Sequence, residues 1–291
     1  MYYLMSIYWA LLIYLFIFSV IFIIVNAIHK LSMAWGLCII FIPSTFMFLY
    51  GFSCSFMLEV EKLDLKILSV KNNVCIAHIS DLHLGPIYGK NHVCRIVKEI
   101  KENDPDFVMI TGDLFDGSMK ISPEVLFPFN EIRADIYFVL GNHDDVFLGI
   151  EEIEKTLRGS KIILLKDEAV HNGDFNIIGI GYRMNHDFLV NKLIELNVTE
   201  DMLNILLYHA PGLPVNKLED CNIQLHLGGH THGGQFFPLL CDKMSPFKYA
   251  KGLKVSKNNK AYVHISEGAG TAGPRLRMFS RSKISFLNIK P

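Results

Sequence analysis

The first 58 residues carry a single formal charge, Lys30, while every other acidic and basic residue falls in 59–291. The two parts of the chain are built for different solvents, and no single soluble core can absorb the first of them. From Tyr2 to Val25 only Ser6 and Ser19 interrupt the apolar side chains. At ~1.5 Å per residue such a helix spans the ~30 Å hydrocarbon core of a bilayer. A polar break, Asn26-Ala27-Ile28-His29-Lys30, precedes a second uncharged run from Leu31 to Leu58, with Pro43, Ser44 and Thr45 near its middle. The pattern predicts two membrane helices, about 2–25 and 33–54, forming a hairpin anchor over 1–58 ahead of a polar domain over 59–291. A cleaved signal peptide fits poorly. No basic residue precedes the first run, which is too long, and the small-x-small candidate Ser53-Cys54-Ser55 lies far beyond the usual window.

One lysine sits in the hairpin loop, whereas Lys62, Lys66 and Lys71 follow the second span. The positive-inside tendency therefore puts the polar domain on the cytoplasmic side of an inner, cytoplasmic membrane. A net charge of -1 leaves no basic excess to neutralise phosphates, so no nucleic-acid partner is expected. The six cysteines have neither CxxC nor paired spacing, which points to buried thiols rather than to disulfides or a cysteine zinc site.

Beyond Glu59, short β-rich runs alternate with amphipathic stretches. Strands are predicted at 60–67, 74–79, 107–110, 136–140, 162–165, 175–181, 204–208, 223–227, 263–265 and 284–287. Helices are predicted at 91–102, 150–157 and 187–196, and 236–260 reads as a long irregular excursion. This order implies a layered α/β domain with mixed strands.

Five polar clusters each follow a strand-like run: Asp81-Leu82-His83, Gly112 to Asp116, Gly141-Asn142-His143-Asp144, Tyr208-His209, and Gly228 to Gln235. The crevice outside the carboxyl ends of strands is where α/β sheets bind ligands. Carboxylates, imidazoles and one carboxamide are hard or borderline ligands, suited to manganese, iron or zinc. His230 and His232, one residue apart among glycines, can each serve a different ion, which invites a two-metal centre.

The ordered set DxH, GDxxD, GNHD, a lone His and GHxH resembles the calcineurin-like metallophosphoesterase superfamily over roughly residues 60–290. The stretch His78 to Gly85, the GHTHGGQ block and the tail from Gly268 to Arg277 look like its membrane-associated branch, some of whose members hydrolyse UDP-2,3-diacylglucosamine in lipid A synthesis. The resemblance implies a mixed β-sheet sandwich flanked by helices, and a phosphodiesterase or pyrophosphatase with two divalent ions. It implies that Asp81, His83 and His232 hold the first metal and Asn142, His209 and His230 the second, with Asp113 bridging. It implies further that His143 stays off the metals and contacts the phosphate or protonates the leaving oxygen, with Asp116 orienting and charging it, while a water or hydroxide shared by the ions attacks phosphorus. Arg277 matches a family arginine that would approach the phosphate, a solvated surface position being the other reading.

Structural roles are expected for His78, His92, His171, His226 and His264, and helix N-caps for Asp144 and Asp145. Gly117 and Asp144 stand where the superfamily's protein phosphatases carry Arg and Glu, which disfavours that activity. Phe236, Phe237, Leu239, Leu240, Met244, Phe247 and Tyr249 suit either an acyl-chain lid or a satellite core, and the nearby lysines suit anionic headgroups or solvent. The expected partners are thus a bilayer and a phosphorylated substrate, either lipid-linked or a soluble nucleotide or phosphomonoester. A non-catalytic membrane scaffold is the competing class.

Overall fold

In the computed structural model two apolar helices lead the chain, α1 (Tyr2–His29) and α2 (Met33–Cys54). The structure describes residues 2–291 except 184–185, 197, 199–200, 236–246 and 248. Pro43 lies inside α2 without ending it, and next to the bond it cannot make, Ser44 Oγ donates to the Ile40 carbonyl at 2.6 Å. Trp9, Phe16, Ile24, Trp35, Ile42 and Phe46 are all more than half exposed on these two helices. Both are long and apolar enough to cross a membrane.

The polar part forms two six-stranded sheets. The first holds β1 (Leu58–Lys66), β2 (Val74–Ile79), β3 (Phe107–Thr111), β4 (Asp135–Val139), β5 (Ile162–Leu164) and β12 (Ser282–Lys290), in the order β1-β12-β2-β3-β4-β5. The second holds β6 (Glu168–Asn172), β7 (Phe175–Ile180), β8 (Leu203–Tyr208), β9 (Leu225–Gly228), β10 (Gly252–Val255) and β11 (Tyr262–Ile265), in the order β10-β11-β9-β8-β7-β6. Both are mixed: β2 through β5 run parallel, while β12 is antiparallel to β2 and β6 to β7.

Alternation along the central strands explains the layering. Phe107 and Met109 of β3 face the second sheet and pack with Ile205 and Leu207 of β8, whereas Val108 and Ile110 face away into the helix-side core. Both faces are covered, so β3 reads as a continuous apolar run. On the outer face of the first sheet, α3 (Lys90–Asn103) buries Val93, Ile96, Val97 and Ile100 at helical spacing, and α4 (Ile150–Leu157) buries Ile153 and Leu157. Across the sandwich, α5 (His186–Glu195) and α6 (Val215–Asp220) cover the second sheet with Leu189, Leu193, Val215 and Leu218.

Sequence periodicity misses β6, β10 and α6. Three of the last four residues of α6 are charged, and β10 lies inside the stretch read as irregular, where pairing with β11 supplies its order. The rest of that stretch, including Phe236, Phe237, Leu239, Leu240 and Met244, lies outside the described residues. Of its aromatics, Phe247 and Tyr249 pack against the outer core of the second sheet.

Candidate metal centre

Because β2, β3 and β4 run parallel side by side, as do β8 and β9, the loops after them leave from one end of each sheet. Asp81 and His83 follow β2, Asp113 follows β3, Asn142 and His143 follow β4, His209 follows β8, and His230 and His232 follow β9. Face-to-face packing of the sheets brings these loops together, and two groups, Asp81-His83-His232 and Asp113-His209-His230, each gather three ligand atoms within 4.8 Å of one another.

The backbone is forced into unusual shapes to do this. Asp81, His83, Asp113, His230 and His232 all have φ between 47° and 75°, the left-handed region that non-glycine residues occupy at a cost of ~1–2 kcal/mol each. Such a concentration of strain at candidate ligands marks a functional site, since the surrounding packing must hold it in place. Glycine makes the approach possible. A Cβ at Gly141 would strike the Asp113 carboxylate, and one at Gly229 would strike Ser80 Oγ and the Asp81 carboxylate.

Asp113 joins the two groups. Its Oδ2 lies 3.2 Å from His209 Nε2 and 3.8 Å from His83 Nε2, while Oδ1 is taken by the His143 N–H at 2.8 Å. Around it, His83 Nε2 and His232 Nε2 stand 3.1 Å apart, His232 Nε2 lies 3.3 Å from Asp81 Oδ1, and His230 Nδ1 lies 3.3 Å from His209 Nε2. Burial pushes His83 down to about 3, His230 down to about 4 and His232 well below the usual imidazole range. These rings are therefore neutral, each with one lone pair. Burial works against charge on His209, but Asp113 outweighs it and holds the ring at about 9. Burial lifts Asp81 to about 6, with the charge on Asp113 adding to it.

Several residues outside the sequence expectation position the ligands. Ser80 Oγ donates to Asp81 Oδ2 at 2.6 Å, and the Thr111 carbonyl sits 2.7 Å from His209 Nδ1, leaving Nε2 to face Asp113. The Tyr182 ring packs against those of His209 and His230.

Asp144 is not a helix N-cap. It is fully buried, and its carboxylate accepts the N–H groups of Gly141 at 2.8 Å, Phe115 at 2.9 Å and Leu114 at 3.4 Å, tying the Asn142 loop to the Asp113 loop. Burial, reinforced by Asp113, raises it to about 7. Asp145 instead pairs with Arg183 at 3.3 Å.

Asp116 and Arg277 are also placed differently from expectation. His143 Nδ1 is held by the main-chain carbonyl of Asp116 at 2.9 Å, while the Asp116 carboxylate accepts from Ser118 Oγ and lies 3.9 Å from His83 Nδ1. A carboxylate oxygen of Asp116 still lies within 4.8 Å of ligand atoms of both His83 and His143, but the hydrogen bond that orients His143 comes from the carbonyl. Arg277 is fully buried and gives its guanidinium to carbonyls: Gly270 at 2.6 Å, Glu267 at 2.8 Å, Gly268 at 3.0 Å and His232 at 3.3 Å. With its donors committed, it braces the His232 loop instead of meeting solvent or phosphate.

Of the histidines given structural roles, His78, His92, His226 and His264 are buried, whereas His171 on β6 is exposed. His78 and His264 share a 2.7 Å contact across the two sheets, His78 Nε2 reaches Thr111 Oγ1 at 2.8 Å, and His226 meets the Tyr208 carbonyl at 3.3 Å.

The donor set fits divalent cations. Asn142 Oδ1, His83 Nδ1 and His232 Nδ1 are buried atoms without a hydrogen-bond partner, and neutral imidazoles turn their Nε2 atoms on one another beside two carboxylates. Only cations satisfy so many converging lone pairs.

This sandwich with its loop-borne ligands defines the class. The family described as Calcineurin-like phosphoesterase matches residues 75–234, and the chain belongs to it. Among its relatives, an uncharacterized metallophosphoesterase of Campylobacter jejuni is 31% identical over 241 residues, covering 80% of this chain and 63% of its own length. One from Aquifex aeolicus is 30% identical over 247 residues, covering 81% of this chain and 93% of its own. A Danio rerio relative named transmembrane protein with metallophosphoesterase domain is 31% identical over 257 residues, covering 80% of this chain and 56% of its own. The chain thus spans about three fifths of the length of the first curated relatives it matches.

Proposed function

We propose that the chain is a membrane-anchored phosphoester hydrolase working with two divalent cations, for which manganese, iron and zinc suit the ligands. The observation that carries this reading is the convergence of two ligand groups on one atom, Asp113 Oδ2. Asp81, His83 and His232 would hold one ion, Asn142, His209 and His230 the other, and Asp113 both. When bound, such ions acidify water and offset charge on the phosphoryl oxygens.

The chain's own residues do the rest. Asp113 keeps the two halves in register while its Oδ1 fixes the His143 main chain. The Asp116 carbonyl holds Nδ1–H of His143, which leaves Nε2 as the atom that carries a proton to the leaving oxygen. Asp144 locks the Asp113 and Asn142 loops together.

Residues 1–58 serve as the anchor and 59–291 as the catalytic domain, facing the cytoplasm at the inner membrane. Support comes from the exposed apolar side chains of α1 and α2 and from the lysines that follow them. For the substrate we favour a membrane-linked phosphodiester or pyrophosphate such as UDP-2,3-diacylglucosamine, over a soluble nucleotide or phosphomonoester. The packing of α1 and α2 on the loop that braces His232 supports this choice.

Hydrolysis of bis-p-nitrophenyl phosphate by the full chain, with each divalent metal in turn, tests the reaction. Turnover with manganese is expected, and none with any metal from folded protein would return the chain to the scaffold class. Release of UMP from UDP-2,3-diacylglucosamine tests the substrate, and turnover of soluble nucleotides alone would reject it.

A further inference from the structure

Where α2 gives way to the polar domain, a cavity of about 410 Å³ opens between Tyr88, Gly89, Lys90, His92, Arg95 and Arg275. No acidic residue lines it, and Lys90, Arg95 and Arg275 form no ion pair among the described residues. We propose that this cavity binds the phosphate of an anionic phospholipid headgroup.

Four observations converge on it. First, α3 begins here with Gly89 at its N-cap, no side-chain cap and no acidic residue in the first turn. The N–H groups of Lys90 and Asn91 precede the first bonds, which run from His92 and Val93 to the Gly89 carbonyl. The positive end of a fourteen-residue helix thus lacks a counter-charge of its own.

Second, His92 is only 8% exposed against the cavity wall, and its Nε2 has no hydrogen-bond partner; the buried Arg275 Nε has none either. The Arg275 Nε–H is an unsatisfied donor beside a cationic cavity, the signature of a missing acceptor, and the unpartnered His92 Nε2 leaves room for one more hydrogen bond in the same wall. Third, the cations are held in place: Arg275 stacks on the Phe56 ring at 3.7 Å from its centroid, and Arg95 donates to the Phe56 carbonyl at 3.0 Å.

Fourth, Phe56 follows the end of α2 by two residues and, with Met57, is exposed. If α2 spans the bilayer, the cavity lies at headgroup depth, where aromatic and basic side chains gather and lipid phosphates are most concentrated. The inference rests on the membrane reading of α1 and α2 and is independent of whether the metal centre hydrolyses anything.

The test uses the full chain, metal-loaded and in detergent, titrated separately with dihexanoyl phosphatidylglycerol, dihexanoyl phosphatidylcholine and inorganic phosphate. Binding is read by native mass spectrometry and by the melting temperature. Phosphatidylglycerol is expected to form a one-to-one adduct and raise the melting temperature, with phosphatidylcholine bound at least tenfold more weakly. K90Q and R95Q, both on exposed side chains, should each weaken that adduct roughly fivefold, and R275Q more. Bis-p-nitrophenyl phosphate turnover should be unchanged in K90Q and R95Q, which separates loss of this site from failure of the metal centre. Equal binding of phosphatidylcholine, or undiminished phosphatidylglycerol binding in a K90Q/R95Q double variant, overturns the proposal. Inorganic phosphate binding as tightly as phosphatidylglycerol overturns the lipid assignment.

Discussion

Arg277 donates its main-chain N–H to the carbonyl of Gly51 at 2.9 Å, while its guanidinium holds the carbonyl of His232 at 3.3 Å. One residue therefore ties the second apolar helix to the loop that carries a candidate metal ligand. Leu276 and Met278 on either side pack with Ala10 and Tyr14 of α1, and a Cβ at Gly51 would collide with both. The hairpin is seated on the end of the domain that carries the candidate metal ligands rather than hung from it by a linker.

Arg277→Lys keeps the charge but loses the fork that spans four carbonyls. It should cost on the order of 2 kcal/mol, since several buried carbonyls lose a partner, and should lower metal content at the His232 side. Melting temperature and elemental analysis of the full chain check this. Unchanged metal content would show that the brace is not needed.

Asp113→Ala and His143→Ala should differ in kind. The first removes the atom shared by both ligand groups, so metal and activity disappear together. The second keeps the ligands and should lower turnover by ~100-fold to 10,000-fold. Equal metal loss in the two variants would merge their roles.

Gly141→Ala adds one methyl group against the Asp113 carboxylate and should abolish metal binding without adding any polar group. Gly173→Ala is the control. Its φ of 62° carries a strain of about 1 kcal/mol, yet nothing lies within 4 Å of the new carbon, so metal content should be unchanged.

Glu61 should contribute to acid sensitivity. The His264 imidazole, 3.8 Å away, and then Lys283 hold its carboxyl at about 2 against an ordinary 4.5. A depressed carboxylate stabilises the fold above its unfolded pKa and loses that contribution as pH falls through the folded one. Glu61→Gln should therefore cost on the order of 2 kcal/mol at pH 7, after allowing for partial solvent screening. The difference from the parent should shrink between pH 4.5 and 2. Denaturation midpoints across that range measure it, and a difference constant with pH would refute it.

Local pattern made most of the molecule legible. Charge depletion alone marks α1 and α2, because no soluble core could hide so many apolar side chains. Apolar spacing marks α3, and continuous apolar runs mark β3 and β8, because helices and doubly covered strands impose those periods on any chain that buries them. The residues that gather into the candidate ligand groups could be picked out as well, since each comes just after a strand.

What the sequence could not decide is which atom of a residue is used. Asp116 holds His143 through a carbonyl that every residue possesses, while its carboxylate stands within 4.8 Å of the His143 and His83 ligand atoms without a hydrogen bond to His143. Asp144 follows a histidine and precedes a helical turn, as a cap would, but folding turns it inward onto two N–H groups of the Asp113 loop and one of its own. Arg277 is decided the same way. Its partners are carbonyls up to 45 residues away in sequence, and nothing in the local pattern distinguishes a guanidinium that meets solvent from one that meets backbone. Side-chain type and period are local properties and survive in the sequence; the direction in which a loop turns a donor or acceptor depends on the long-range packing of the two sheets, and only the tertiary structure sets it.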